Sequence, residues 1–84
     1  MFLFTNAYAQ QVKGVIYDEK HEPLPFVNIS IDGTGIGTSS NLSGAYNLVL
    51  KNGIYIISFR YVGYTTIKKE IVIDGKDLVF FHHF

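Results

Sequence analysis

A side-chain pattern of period two recurs in short segments from Gln11 onward, and it restricts the fold more than any other feature of this chain. In GIYIISFR, Tyr55, Ile57 and Phe59 fall on one side while Ile54, Ile56, Ser58 and Arg60 fall on the other. Successive residues point to opposite faces only in an extended strand, so the pattern specifies strand and excludes helix. The apolar content of both sides predicts a central strand with both faces largely covered. FVNISID sets Val27, Ile29 and Ile31 against Phe26, Asn28, Ser30 and Asp32; QVKGVIYD groups Val12, Gly14 and Ile16; AYNLVL groups Tyr46, Leu48 and Leu50. TTIKKEIVI groups Ile67, Ile71 and Ile73, with Lys69 the exception and Lys68 and Glu70 facing water, and DLVFF supplies a last strand.

Between these segments lie residues that cannot continue a ladder. Pro23 and Pro25 in EKHEPLP lack the backbone donor and fix φ. GTGIGTSSNLSG turns tightly, leaving room for a short strand near Gly37 to Ser40. Asn52-Gly53 is the pair favoured in two-residue hairpin turns, and Asp74-Gly75-Lys76 turns the chain again. About six or seven short strands with turn signals about every 8 to 12 residues predict an all-β fold, a small antiparallel Greek-key β-sandwich.

Eighty-four residues allow one small domain, which buries roughly 60% of its unfolded surface and leaves no room for a deep cleft with its own supporting shell. Seven basic and seven acidic residues cancel, removing the electrostatic footprint of a nucleic-acid binder. Without cysteine, neither a disulfide framework nor a cysteine-based zinc site forms. No run approaches the roughly 20 apolar residues of a membrane-spanning helix. Ala7-Tyr8-Ala9 has the small-x-small form read by signal peptidase and follows the apolar Phe2-Leu3-Phe4, although no basic segment precedes it. Residues 1–9 are therefore expected to be the end of a signal peptide, with the domain occupying 10–84.

Candidate chemical motifs are weak. Gly33, Gly35 and Gly37 suggest a phosphate-cradling loop, but no helix pattern follows to supply an N-terminal dipole. His82 and His83 are metal-ligand types, yet neighbouring strand residues point apart and converge poorly on one ion. Asp18, Glu19 and Glu22 surround Lys20 and His21 and read as a solvated loop. Asn28-Ile29-Ser30 and Asn41-Leu42-Ser43 match the glycosylation pattern and read as strand and turn residues in a bacterial protein. No HExxH and no nucleophile elbow is present. No catalytic residue, cofactor or metal site is expected.

In order along the chain, Val12, Gly14, Val15 and Asp18, then Pro23, Leu24, Pro25, Val27 and Ile29, then Gly33, Thr34, Gly37, Thr38, Asn41, Gly44, Tyr46 and Leu48 form a pattern that ends with Gly53, Tyr55, Ile57, Phe59, Val62, Gly63 and Tyr64. This pattern, over Gln11 to Ile73, resembles the carboxypeptidase regulatory-like domain, a transthyretin-like β-sandwich. The resemblance implies a non-catalytic accessory role: such domains occur at the periplasmic N-terminus of TonB-dependent outer-membrane receptors, after the signal peptide and before the plug, and beside exported peptidases. The implied partners are the plug and barrel of an outer-membrane transporter or a neighbouring envelope protein, with membrane association only through sequence beyond Phe84. Two departures stand out. Lys20-His21-Glu22 occupies a loop where the family usually has glycine or asparagine, and DLVFFHHF replaces the usual polar strand. Three phenylalanines in that ending would be an aggregation hazard if left uncovered. Transthyretin-like hydrolases of a purine-breakdown intermediate carry a C-terminal tetrapeptide that this ending lacks.

The surface expected to make contacts is Tyr61, Tyr64 and Thr65, together with the Gly33 to Gly44 loop; Tyr64 is also expected to fold its ring over the end of the sandwich. Two other readings use the same domain differently: a free-standing carbohydrate- or protein-binding module presenting Tyr17, Tyr61 or Tyr64, and the regulatory module of an exported peptidase.

Overall fold

The alternating segments form seven strands in a computed structural model that describes residues 9–84. They are β1 (Ala9–Tyr17), β2 (Asn28–Ile31), β3 (Gly37–Ser39), β4 (Ala45–Lys51), β5 (Gly53–Arg60), β6 (Ile67–Ile73) and β7 (Leu78–His83). No helix is present among the described residues. The expected leader end lies outside those residues except for Ala9, which opens β1 opposite Lys51.

Two sheets face each other, one ordered β4-β1-β7 and the other β3-β2-β5-β6. Burying one face of each sheet is the way a half-apolar strand set removes its surface from water. Val12, Ile16, Tyr46, Leu48 and Leu50 enter the core from the first sheet, and Val27, Ile29, Ile31, Ile57, Phe59, Ile71 and Ile73 from the second. These are the residues that the alternation turns inward. Burying a side chain such as Phe59, which is 1% exposed, contributes about 1.5–3 kcal/mol.

Strand pairing departs from expectation in three ways. First, β1 pairs β7 in parallel, with Val12 opposite Leu78 and Tyr17 opposite His83, while the remaining ladders are antiparallel. Second, Asn52-Gly53 makes no hairpin. Asn52 alone separates β4 from β5, and the chain crosses between sheets there. The reason is that Tyr46, Leu48 and Leu50 must face Ile57 and Phe59 across the core, which requires the two strands in opposite layers rather than side by side. Third, β5 is central but covered on one face only: Ile54 is 69% exposed and Ile56 36%. Ser58 alone is buried on the outer face, where its hydroxyl donates to Asp32 Oδ1 at 2.7 Å and Lys68 Nζ meets Asp32 Oδ2 at 2.7 Å. Lys69, inward by parity, lies exposed near the sandwich edge.

Buried polar atoms fix the connections. Ser40 is 2% exposed; its Oγ donates to the Leu24 carbonyl at 2.8 Å and accepts the Val27 N–H at 2.9 Å. The segment before β2 is thereby tied to the segment after β3. Gly44, at φ +73°, accepts the Ile16 N–H with its carbonyl oxygen at 2.9 Å, and a Cβ there would stand 2.6 Å from the Ile16 carbonyl oxygen. Tyr46 crosses the face of Gly14, where a Cβ would lie 2.3 Å from its ring. Its hydroxyl is 2.8 Å from His82 Nε2. Burial pushes the Tyr46 hydroxyl above the usual phenol range and, with the charges of Lys69 and His83, lowers His82 to about 4.

Of the terminal phenylalanines, Phe80 and Phe84 pack against the core and only Phe81, 63% exposed, faces outward. The expected hazard reduces to one ring because β7 is a strand with an inner face.

Two outcomes follow. Gly44→Ala combines a left-handed backbone with a clash against main chain, and is expected to lower the unfolding free energy by about 2–4 kcal/mol in urea denaturation. His82 binds its proton less readily folded than unfolded, so its contribution is neutral above pH 6.5 and stability falls as pH drops from there toward 4. The loss is expected to reach about 1–2 kcal/mol by pH 5. A Tyr46→Phe/His82→Leu variant, lacking both polar partners, should flatten the stability profile between pH 7 and pH 5.

Candidate functional site

Sequence elements on the outer face of the second sheet converge on an open hollow of about 520 Å³ lined by Phe26, Asn28, Arg60, Tyr61 and Val62. Asn28 and Arg60 are cross-strand partners at the end of the β2–β5 ladder, which places their side chains together. Tyr61 and Val62 begin the turn that leaves β5. The Tyr64 N–H donates to the Tyr61 carbonyl at 3.1 Å, and Gly63 takes φ +89°. Positive φ at the third position is the requirement of a type II turn, which is why glycine sits there. The second position, Val62, is thrust into solvent at 93% exposure.

Phe26 is placed by strain. Its φ is +64°, a region that costs a bulky L-residue about 1–2 kcal/mol. Its N–H donates to the Ser40 carbonyl at 2.9 Å, and the doubly bonded Ser40 hydroxyl holds Leu24 before it and Val27 after it. The chain at Phe26 is over-determined by these bonds, and the ring is left 68% exposed beside Val62. An aromatic and a branched aliphatic side chain held outward next to an arginine suit a surface that meets an apolar or mixed segment of another protein.

Of the expected contact residues, Tyr61 lines this hollow, while Tyr64 and Thr65 do not. Tyr64 does close the end of the sandwich: its ring is 5.1 Å from Phe84 and 5.8 Å from Tyr61, and its hydroxyl donates to Glu19 Oε1 at 3.2 Å. Partial burial, the bond to Glu19 and nearby carboxylates raise its pKa. Thr65 is exposed beyond the turn. In the Gly33 to Gly44 loop, Asn41 Oδ1 accepts the N–H groups of Ser43 and Ala45 at 2.9 and 3.0 Å, the work of a turn residue.

Sequence reasoning placed Phe26 on the outer face but missed its left-handed backbone, because the hydrogen bonds that enforce it come from Ser40, fourteen positions on. The two histidines divide as neighbouring strand residues do, but the partner that His83 meets in the first loop was not legible. His82 points inward at 4% exposure, and His83 points outward, its Nε2 3.1 Å from His21 Nδ1. Asp18 behaves as a loop organiser: Oδ1 accepts the N–H groups of Lys20 and Glu22 at 2.8 and 3.0 Å, bonds that hold its carboxyl below the usual range. Among the described residues no three metal-ligating side chains come together.

Comparison with known proteins agrees with this architecture. The TonB-dependent receptor P39 of Formosa agariphila is 37% identical over 78 residues, covering 87% of this chain and 8% of that receptor. The TonB-dependent receptor SusC of Bacteroides thetaiotaomicron is 39% identical over 67 residues, 76% of this chain and 6% of the receptor. The chain thus spans less than a tenth of the length of these relatives. Among solved structures, the Bacillus anthracis TIE protein superposes over 100% of this chain and 18% of its own with a TM-score of 0.67 at 15% identity, a likeness of fold. The sequence profile of the CarboxypepD_reg-like domain matches residues 12–82, and with receptor segments this similar along the same stretch, the chain belongs to the CarboxypepD_reg-like domain family.

Proposed function

We propose that this domain is a non-catalytic accessory module of an exported outer-membrane protein, the N-terminal periplasmic extension of a TonB-dependent nutrient receptor. The observation that carries the reading is the match of 87% of the chain to a segment forming 8% of such a receptor. That proportion is the proportion of an appendage to a much larger transporter. The small-x-small motif at Ala7-Tyr8-Ala9 supports export, and the domain then lies on the periplasmic side, next to the plug and barrel.

The surface chemistry suits docking. Phe26 and Val62 present apolar groups at a rim, and Arg60 and Asn28 supply polar contacts that orient a partner. The hollow is open to solvent, so it accepts a chain segment on its surface better than it encloses a small molecule. The role of the sandwich is to hold these side chains in one place while the receptor's plug, barrel or a neighbouring envelope protein is the group they meet.

Phe26→Gly separates docking from folding. Glycine relieves the left-handed backbone, so stability is expected to change by no more than about 1 kcal/mol. Receptor-dependent nutrient uptake by cells carrying this substitution in the full-length protein is expected to fall, and a photo-crosslinking residue at Val62 should capture plug, barrel or an envelope neighbour. Uptake equal to wild type in cells lacking residues 10–84, with receptor levels unchanged, would overturn the reading.

A further inference from the structure

The first loop and the last strand meet through two histidines separated by 62 positions. Nδ1 of His21 lies 3.1 Å from Nε2 of His83, both side chains are exposed, and neither belongs to the hollow at Phe26. We propose that His21 and His83 together bind a divalent transition-metal ion of the imidazole-preferring class, such as zinc or copper.

The separation fits. Two imidazole nitrogens at roughly 2.0–2.1 Å from a tetrahedral zinc ion stand about 3.3–3.4 Å apart, so this pair opens by a few tenths of an ångström to admit the ion. The ring orientation fits as well. A straight N–H···N bond at this nitrogen separation would hold the ring centroids about 5.4 Å apart. The centroids are 5.0 Å apart with the planes at 80°, so the rings are turned off that line and leave a corner beside the facing nitrogens.

Both ligands are held in place by other groups. His21 sits at φ +63°, and its turn is wired by its own N–H to the Asp18 carbonyl at 3.0 Å and by the two N–H groups that Asp18 Oδ1 accepts. A histidine in a left-handed position costs more than glycine would. The imidazole is thereby aimed from a fixed loop. The His83 ring stacks on Tyr17 at 5.4 Å and 25°, in the parallel ladder where the two residues are partners. Ligands oriented in advance lose little freedom on binding. The segment Asp18 to Glu22 carries three carboxylates against one lysine, a field that favours a cation. With two protein ligands, the remaining positions are open to water or to a side chain of another protein. Nitrogen donors select transition ions over magnesium and calcium.

Titration of the untagged chain with zinc chloride, followed by calorimetry and thermal melting, tests the site; copper(II) with electron paramagnetic resonance reports nitrogen ligation directly. One ion per chain is expected, with a melting temperature raised by several degrees and no response to magnesium. His21→Asn tolerates the left-handed backbone and removes the ligand, so it should fold as wild type does while weakening zinc affinity at least tenfold. His83→Asn should do the same. Equal affinity in wild type and His21→Asn, loss through His83 alone, or no binding by the wild type below millimolar zinc would each overturn the assignment.

Discussion

Tyr46 is the side chain on which the two layers depend. It projects from β4, lies across Gly14 of β1, reaches His82 of β7 with its hydroxyl at 2.8 Å, and sets its ring 5.9 Å from Phe59 of the opposite sheet. One residue therefore touches every strand of its own sheet and the largest fully buried side chain of the other. The arrangement works because position 14 has no side chain: the ring occupies space that a Cβ would fill. His82 completes it from β7, with its ring 4.3 Å from that of Phe59. In a domain this small, where the buried fraction is low and the net stability correspondingly thin, a cluster shared by four strands outweighs any surface pair.

The inward residues were legible in the sequence because period two is a local property. Val27, Ile29 and Ile31 occupy three alternate positions and all three are buried; so are Tyr46, Leu48 and Leu50. What alternation does not contain is the identity of the neighbouring strand. Leu50 and Ile57 satisfy the same pattern whether their strands lie side by side or face each other across the core, and Asn52-Gly53 suits a reversal of either kind. For the same reason nothing in DLVFFHH states that the strand would run parallel to β1. The sheet assignment is settled by which faces must meet, and that is a property of the whole chain.

The candidate surface was only partly legible for a related reason. Tyr61 was found because a turn beside a strand end exposes its residues. Phe26 carries no local mark of its backbone, since the constraint arrives from Ser40 through two hydrogen bonds of its hydroxyl and two of its main chain. His21 and His83 illustrate the limit from the other side. Within the sequence, His83 has His82 as its neighbour, and the pleat sends that neighbour into the core. Its spatial partner sits in the first loop, brought there by the parallel β1–β7 ladder that alternation could not foresee.

The distribution of polar and apolar groups explains why such a domain suits an accessory role. Its interior is committed to holding two sheets together, and its buried, hydrogen-bonded pair of Tyr46 and His82 is used for that purpose. Three exposed side chains are firmly placed: Phe26 by a strained backbone, Val62 by a type II turn, His21 by the Asp18 turn. Each is carried on a connection between strands rather than on a strand centre. A sandwich tolerates change in its connections more readily than in its core, because loops carry few of the contacts that hold the layers. Variation there can alter what the domain meets without altering how it folds, and the cost in stability falls on a handful of left-handed residues instead of on the core.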